Sequence, residues 1–407
     1  MKKISTMMAI LTIIIILFLG CRSNSGSDEA QPISSDRLSQ VKVVALYESI
    51  TDGWDGVDGR NINERIALLQ ETKMDMIFRG WWHWGVPDES AYSNLQNTLL
   101  SIKAAMANII FTAAVPAQAL WRTNYNPKKR QFVNYPATWN MAFDPAAWGI
   151  AGISKTEFQC EYAKRRTWID QSFDCATYDP QKVNAYYPDI TNPAFQELLL
   201  SWAEKLIDIG ADAIWVDMLF SQANFITKLT GDINHPAAKA AYDAALKIVD
   251  ALHNYKQGLY VGSWGNWSAF PYSPPMLDFV TISPTKDEVL SQTFDDASWD
   301  VFIESIKAKK GDIPIIGFID WADIADTPLG AFSQTLSIAD QNNFLRTADG
   351  FFKTKGINFA YPIHGGWMGD DATVLSFGRY KTYDSLAPEF NTYGTIKELA
   401  AKKSEGD

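Results

Sequence analysis

Cysteine, histidine and basic residues are all scarce in this chain of 407 residues. It has three cysteines and four histidines, with no CxxC or HExxH spacing. The histidines His83, His235, His253 and His364 are scattered, so no metal site is indicated and no cofactor is expected. Against 47 Asp and Glu stand 36 Lys and Arg, a formal net charge of −11. An acidic surface repels polyanions, which removes nucleic acid from the expected partners. The apolar run from Met7 to Leu19, broken by Thr12, falls short of the ~20 residues that a membrane-spanning helix needs. Its place behind Met1-Lys2-Lys3 fits the apolar region of a signal peptide.

Gly20-Cys21 at the end of that run resembles a bacterial lipobox, with Phe18 where leucine is usual. The resemblance implies cleavage after residue 20 and a lipid on Cys21, hence an extracytoplasmic protein held at a membrane. An ordinary signal peptide and an uncleaved anchor are the alternatives. Losing residues 1–20 removes Lys2 and Lys3 and moves the net charge from −11 to −13. Residues 21–40 are rich in small and polar side chains and read as a flexible tether. In an exported protein the remaining cysteines, Cys160 and Cys175, are expected to pair, with two free thiols as the alternative. Closing a loop of about 15 residues stabilises by ~3 kcal/mol on chain-entropy grounds.

Aromatics, by contrast, are plentiful, with 15 Trp and 16 Tyr. The most organised stretch is YYPDITNPAFQELLLSWAEKLIDIGADAIWVDMLF, residues 186–220. Asn192 suits an N-cap and Pro193 the first helical position. Phe195, Leu198, Leu199, Trp202, Ala203, Leu206 and Ile207 form one apolar stripe at helical spacing, and Gly210 suits the left-handed residue past the helix end. A buried strand follows and ends on Asp217, which shares strand parity with Ala213 and Trp215. "PDITNP…GADAIWVDM" resembles the segment entering the fourth strand of TIM-barrel glycoside hydrolases. In several of those families an aspartate at that strand end is the nucleophile, a role the resemblance implies for Asp217.

Eight strand-like apolar runs occur, at 41–48, 74–79, 108–115, 211–217, 258–264, 278–283, 314–320 and 357–363. Amphipathic helical patterns separate most of them. Strands alternating with helices imply a parallel sheet, and eight such units imply a closed (β/α)8 TIM barrel over 41–404. The fifth and sixth strands have too short a link, with Pro271, Pro274 and Pro275, for a full helix. The segment 118–189 is a long insertion after the third strand, rich in Trp, Tyr, Asn and Pro. It is expected either to wall one side of a cleft or to stand as a decorative subdomain.

The strand ends carry acids and indoles. Catalytic candidates are Asp217, Asp320, Glu288 and Glu48, because cleaving a glycosidic bond needs one carboxyl to protonate the leaving oxygen and another to attack or to activate water. Substrate-binding candidates are Arg79, Trp81, Trp82, His83, Trp84, Trp264, Asn266, Trp321, Tyr361, His364 and Trp367. Structural readings stand beside these: Glu48 could pair with Arg79 as an ion pair, and His364 could be a satisfied loop histidine. The α-amylase-like barrels place a glutamate acid at the fifth strand, and none is present here, so the second carboxyl comes from Glu288, Asp320 or Glu48, with Asp320 first because its placement at a strand end is clearest. Three functions remain open: a lipid-anchored glycoside hydrolase acting as a monomer on an oligo- or polysaccharide, a non-catalytic carbohydrate-binding lipoprotein, and a two-lobed solute-binding lipoprotein.

Overall fold

A computed structural model of the protein describes residues 37–48, 50, 59–320, 327–368 and 382–405. The signal peptide and Cys21 lie outside the described residues, as do Trp321 and the side chain of Trp367.

Eight parallel strands close into a barrel: β1 (Val44–Tyr47), β2 (Met76–Trp82), β3 (Ile110–Pro116), β4 (Ala213–Asp217), β5 (Tyr260–Trp264), β6 (Phe279–Ile282), β7 (Ile315–Gly317) and β8 (Asn358–Trp367). Each pairs with the next, and β8 pairs with β1 through Val44↔Ala360 and Ala45↔Tyr361. A short antiparallel strand, β9 (Thr382–Asp384), extends the edge of β8. All eight expected strands are present. A closed barrel has no two-lobed hinge, which removes the solute-binding reading.

Alternation along the strands sorts the core into two parts. Val44, Leu46, Met76, Phe78, Ile110, Ala114, Ala213, Trp215, Tyr260, Phe279, Ile316, Phe318 and Ala360 fill the interior. Their neighbours in sequence face the helix layer and form the larger outer core. Gly262 belongs to the interior parity of β5 and is glycine for a steric reason, since a Cβ there would lie 2.2 Å from the Phe279 ring. Leu38 and Val41 close the lower end of the plug, so the packed core already includes Leu38, which the sequence assigned to the tether.

The helix entering β4 forms as its sequence dictates. Asn192 accepts from the backbone of Ala194 and Phe195, Pro193 opens the Pro193–Asp208 helix, and Gly210 has φ 115° beyond its end. Its stripe from Phe195 to Ile207 is buried against the barrel, each large apolar side chain contributing roughly 1.5–3 kcal/mol. The β5–β6 link holds one 3-10 turn, Gly265–Ala269, before Phe279. The insertion after β3 carries two small antiparallel pairs, a helix (Lys155–Arg165) and the Cys160–Cys175 disulfide. Phe143, Phe158, Tyr162 and Tyr187 from this insertion belong to the main outer core, so it is part of the barrel's own packing and not a separate subdomain.

Candidate active site at the mouth of the barrel

Extending the interior alternation by one more residue replaces the apolar plug with polar groups. Glu48 follows Val44 and Leu46, Asp217 follows Ala213 and Trp215, Trp264 follows Tyr260 and Gly262, and Asp320 follows Ile316 and Phe318. All four stand at the carboxyl ends of strands, the face where barrels of this kind do chemistry.

Arg79 holds this layer together. The β2–β3 register shifts between Ile77 and Trp81, so β2 bulges there, and Arg79 adopts φ 55°. A left-handed non-glycine residue costs ~1–2 kcal/mol, and the contacts of the side chain offset it. The Arg79 Nη2 meets Glu48 Oε1 at 2.5 Å, and Nη1 lies 4.0 Å from Asp320 Oδ1. The guanidinium also lies 4.4 Å from the centre of the Trp82 ring and 5.3 Å from that of Trp215. Glu48 is committed as well, since its Oε2 accepts the Gly366 N–H at 2.8 Å. Glycine is required next door: Gly365 has φ 136°, and a Cβ there would lie 2.7 Å from the Glu48 side chain. The ion-pair alternative for Glu48 is therefore what the barrel contains.

Asp217 is 7% exposed and each of its oxygens accepts a hydrogen bond. The Gln118 Nε2 donates to Oδ2 at 2.5 Å and the Trp264 Nε1 to Oδ1 at 2.6 Å. Burial raises the Asp217 pKa above the ordinary aspartate value, while Arg79, Trp264, Gln118 and Arg166 pull it back. Every near neighbour thus favours the carboxylate, and burial alone opposes it. The Asp320 side chain is 39% exposed, the most accessible of the three acids around Arg79.

An aromatic wall rises beside these acids. Trp82 and Trp84 stack with centroids 5.9 Å apart and planes 16° apart, and Trp84 meets Trp121 edge-on at 5.2 Å. All three are half-buried, as is Trp264 across the mouth. Flat indoles held this way present faces on which sugar rings can stack.

Several expected site residues face elsewhere. Trp81 is buried against Tyr92 of the Glu89–Ala105 helix. His83 is buried too, its ring stacked on Trp202 at 4.2 Å and its Nδ1 3.2 Å from the Tyr92 hydroxyl. Burial lowers the His83 pKa to about 3. Tyr361 donates to Asp349 at 2.6 Å on the helix side of β8. His364 Nδ1 pairs with Asp384 Oδ2 at 2.9 Å, and Arg60 grips the same carboxylate twice at 2.7 Å. Burial opposes ionisation of Asp384, but the His364 and Arg60 donors outweigh it and lower the pKa to about 2. Three of these expectations are corrected, since Trp81, His83 and Tyr361 bury their side chains in the packing on the helix side; His364 is buried against Asp384. Asn266 sits half-buried in the 3-10 turn after β5.

Glu288 is corrected as well. It closes a capping box with Thr285 at the start of the Lys286–Ser291 helix, and its other oxygen accepts from Trp299 Nε1 at 2.7 Å and Asp295 N at 3.0 Å. These contacts give Glu288 a structural role at the start of that helix. The spacing Thr285-x-x-Glu288 was legible as a cap. Gln118 and Trp121 were missed; Gln118 was findable, since it shares the interior parity of Ile110, Thr112 and Ala114.

Among the described residues, no group of three or more His, Cys, Asp or Glu side chains could hold a metal ion. A surface hollow of ≈ 550 Å³ lined by His253, Asp278 and Lys310 lies at the amino ends of β5 and β6, the opposite end from Asp217.

No protein-family model matches the sequence, and no curated protein matches it. Among solved structures, the chain is similar to the glycoside hydrolase domain of PelA from Pseudomonas aeruginosa, at 14% identity and TM-score 0.42 over 79% of this chain and 95% of that one. It is similar to a debranching enzyme of Nostoc punctiforme at 12% identity and TM-score 0.47, over 87% of this chain and 72% of that one. A cyclic alpha-maltosyl-(1→6)-maltose hydrolase of Arthrobacter globiformis is similar at 11% identity and TM-score 0.46, over 90% and 83% of the two chains.

Proposed function

We propose that the chain is an exported, lipid-anchored glycoside hydrolase that cleaves an oligo- or polysaccharide with Asp217 and Asp320 as its two carboxyls. The observation that carries this reading is the convergence of Asp217, Asp320 and Arg79 at one barrel mouth, beneath the indoles of Trp82, Trp84 and Trp264. Asp217 is held as a buried carboxylate by two N–H donors, fit to attack an anomeric carbon or to stabilise the positive charge that develops there. Asp320 is the accessible acid, fit to protonate the leaving oxygen. Arg79, anchored by Glu48, holds positive charge between the acids, and the indoles give the sugar its platforms.

Non-catalytic carbohydrate binding on the same barrel has one observation in its favour: both oxygens of Asp217 are already occupied, as in a purely structural carboxylate. Hydrolysis separates the two. A polysaccharide panel incubated with the wild-type protein and with Asp217→Asn tests the proposal, through release of reducing ends.

A further inference from the structure

We propose that Gln118 is the positioning residue of Asp217: with Trp264 it clamps the carboxylate in one orientation as the anion, and its free carbonyl end accepts from a sugar hydroxyl. The inference rests on the catalytic reading of Asp217 for its last step only.

The geometry is specific. Gln118 is 2% exposed and continues the interior parity of β3 beyond Pro116, whose register partner is Asp217 itself. The backbone of Ala117 donates to the Asp217 carbonyl at 3.0 Å, fixing the two chain segments side by side. The Gln118 Nε2 then reaches Asp217 Oδ2 at 2.5 Å, opposite the Trp264 indole on Oδ1 at 2.6 Å. Two N–H donors on two oxygens match an anion; a protonated carboxyl would turn one of those contacts into a donor facing a donor. At its other end, Gln118 Oε1 is buried and has no hydrogen-bond partner among the described residues. A buried acceptor left unpaired costs roughly 1–3 kcal/mol, a cost that an incoming hydroxyl donor would remove. The insertion holds this residue in place, because the Tyr162 hydroxyl donates to the backbone carbonyl of Gln118 at 3.3 Å. Tyr162 sits on the Lys155–Arg165 helix beside Cys160 of the disulfide. The insertion therefore contributes to the site through Gln118.

The charged and titratable groups that face Asp217 are Arg79 from β2 and Arg166 and Tyr162 from the insertion, with Glu48 and Asp320 beyond Arg79. Because Trp264 bonds Asp217 directly, its indole N–H resonance reports the charge on that carboxylate without any substrate. The test follows this resonance against pH in the full-length protein labelled with 15N-tryptophan, assigned by its loss in Trp264→Phe. Gln118→Glu places a second carboxyl against the first, so the pair must share a proton and the upper titration step should move up by roughly one pH unit or more. Gln118→Met keeps the length, removes the donor and should move the midpoint upward by less; it carries the test should Gln118→Glu fail to fold. On the polysaccharide that the wild type cleaves, Gln118→Met should lower kcat at least tenfold with an unchanged melting temperature. Midpoints identical in all three proteins overturn the proposal, as does full kcat in Gln118→Met. Shifted midpoints with no hydrolysis by any protein, wild type included, would uphold the clamp and overturn instead the glycosidase reading and the hydroxyl contact that depends on it.

Discussion

Arg79 and Glu48 form an ion pair 2.5 Å long at the floor of the barrel mouth, with the two side chains 3% and 10% exposed. Removing one member of such a pair strands the other. Arg79→Met is expected to destabilise the fold by about 3–5 kcal/mol, read as a lower urea midpoint. Arg79→Met combined with Glu48→Gln should recover part of that loss, since the Glu48 carboxylate no longer stays buried without its partner. A double variant no more stable than Arg79→Met alone would mean that the pair is not coupled.

His83 makes stability depend on pH. Its folded pKa, lowered by burial to about 3, lies below the ordinary value of 6.5. Between those values the unfolded chain binds a proton that the folded one refuses, so stability is present above pH 6.5 and is lost as pH falls towards 3. The slope approaches ~1.4 kcal/mol per pH unit in that window. His83→Phe keeps a ring against Trp202 and should flatten the fall in melting temperature between pH 6 and 4, a window taken from those two values. An equal slope in both proteins would refute the assignment.

Glu288→Ala tests the cap on the Lys286–Ser291 helix. Losing the capping box and the bond from Trp299 should cost about 1–2 kcal/mol and leave hydrolysis at the wild-type rate. A large loss of activity with an unchanged melting temperature would return Glu288 to the mechanism.

Unfolding the full-length protein without reductant should expose no reactive thiol from Cys160 or Cys175, which are joined. Replacing both by serine is expected to lower stability by ~3 kcal/mol for a loop of this length. Two titratable thiols would contradict the bridge.

The barrel was legible because eight apolar runs alternate with helical patterns, and the three mouth acids at β1, β4 and β7 because period-2 alternation runs from apolar interior residues onto Glu48, Asp217 and Asp320. The same parity separates Trp82 and Trp84, which continue Met76 and Phe78, from Trp81 and His83, which do not. Arg79 breaks that rule, because its left-handed backbone at the bulge depends on Glu48, a residue of another strand. His364 and Asp384 meet only through the antiparallel pairing of β8 with β9, which no local pattern announces. Trp121 stands in the irregular start of the insertion, where neither helical nor strand periodicity identifies a facing side.

The central claim is that Asp217 carries catalysis. Asparagine at this position keeps the shape and can still accept from Trp264 or Gln118, but it lacks the negative charge that attack or oxocarbenium stabilisation needs. The decisive measurement is release of reducing ends from a polysaccharide panel by the wild type and by Asp217→Asn, each checked for glycan binding. The account predicts cleavage of one glycan by the wild type, a fall of several orders of magnitude in Asp217→Asn, and binding retained through Trp82, Trp84 and Trp264. Equal hydrolysis by both proteins, or binding with cleavage by neither, would contradict it.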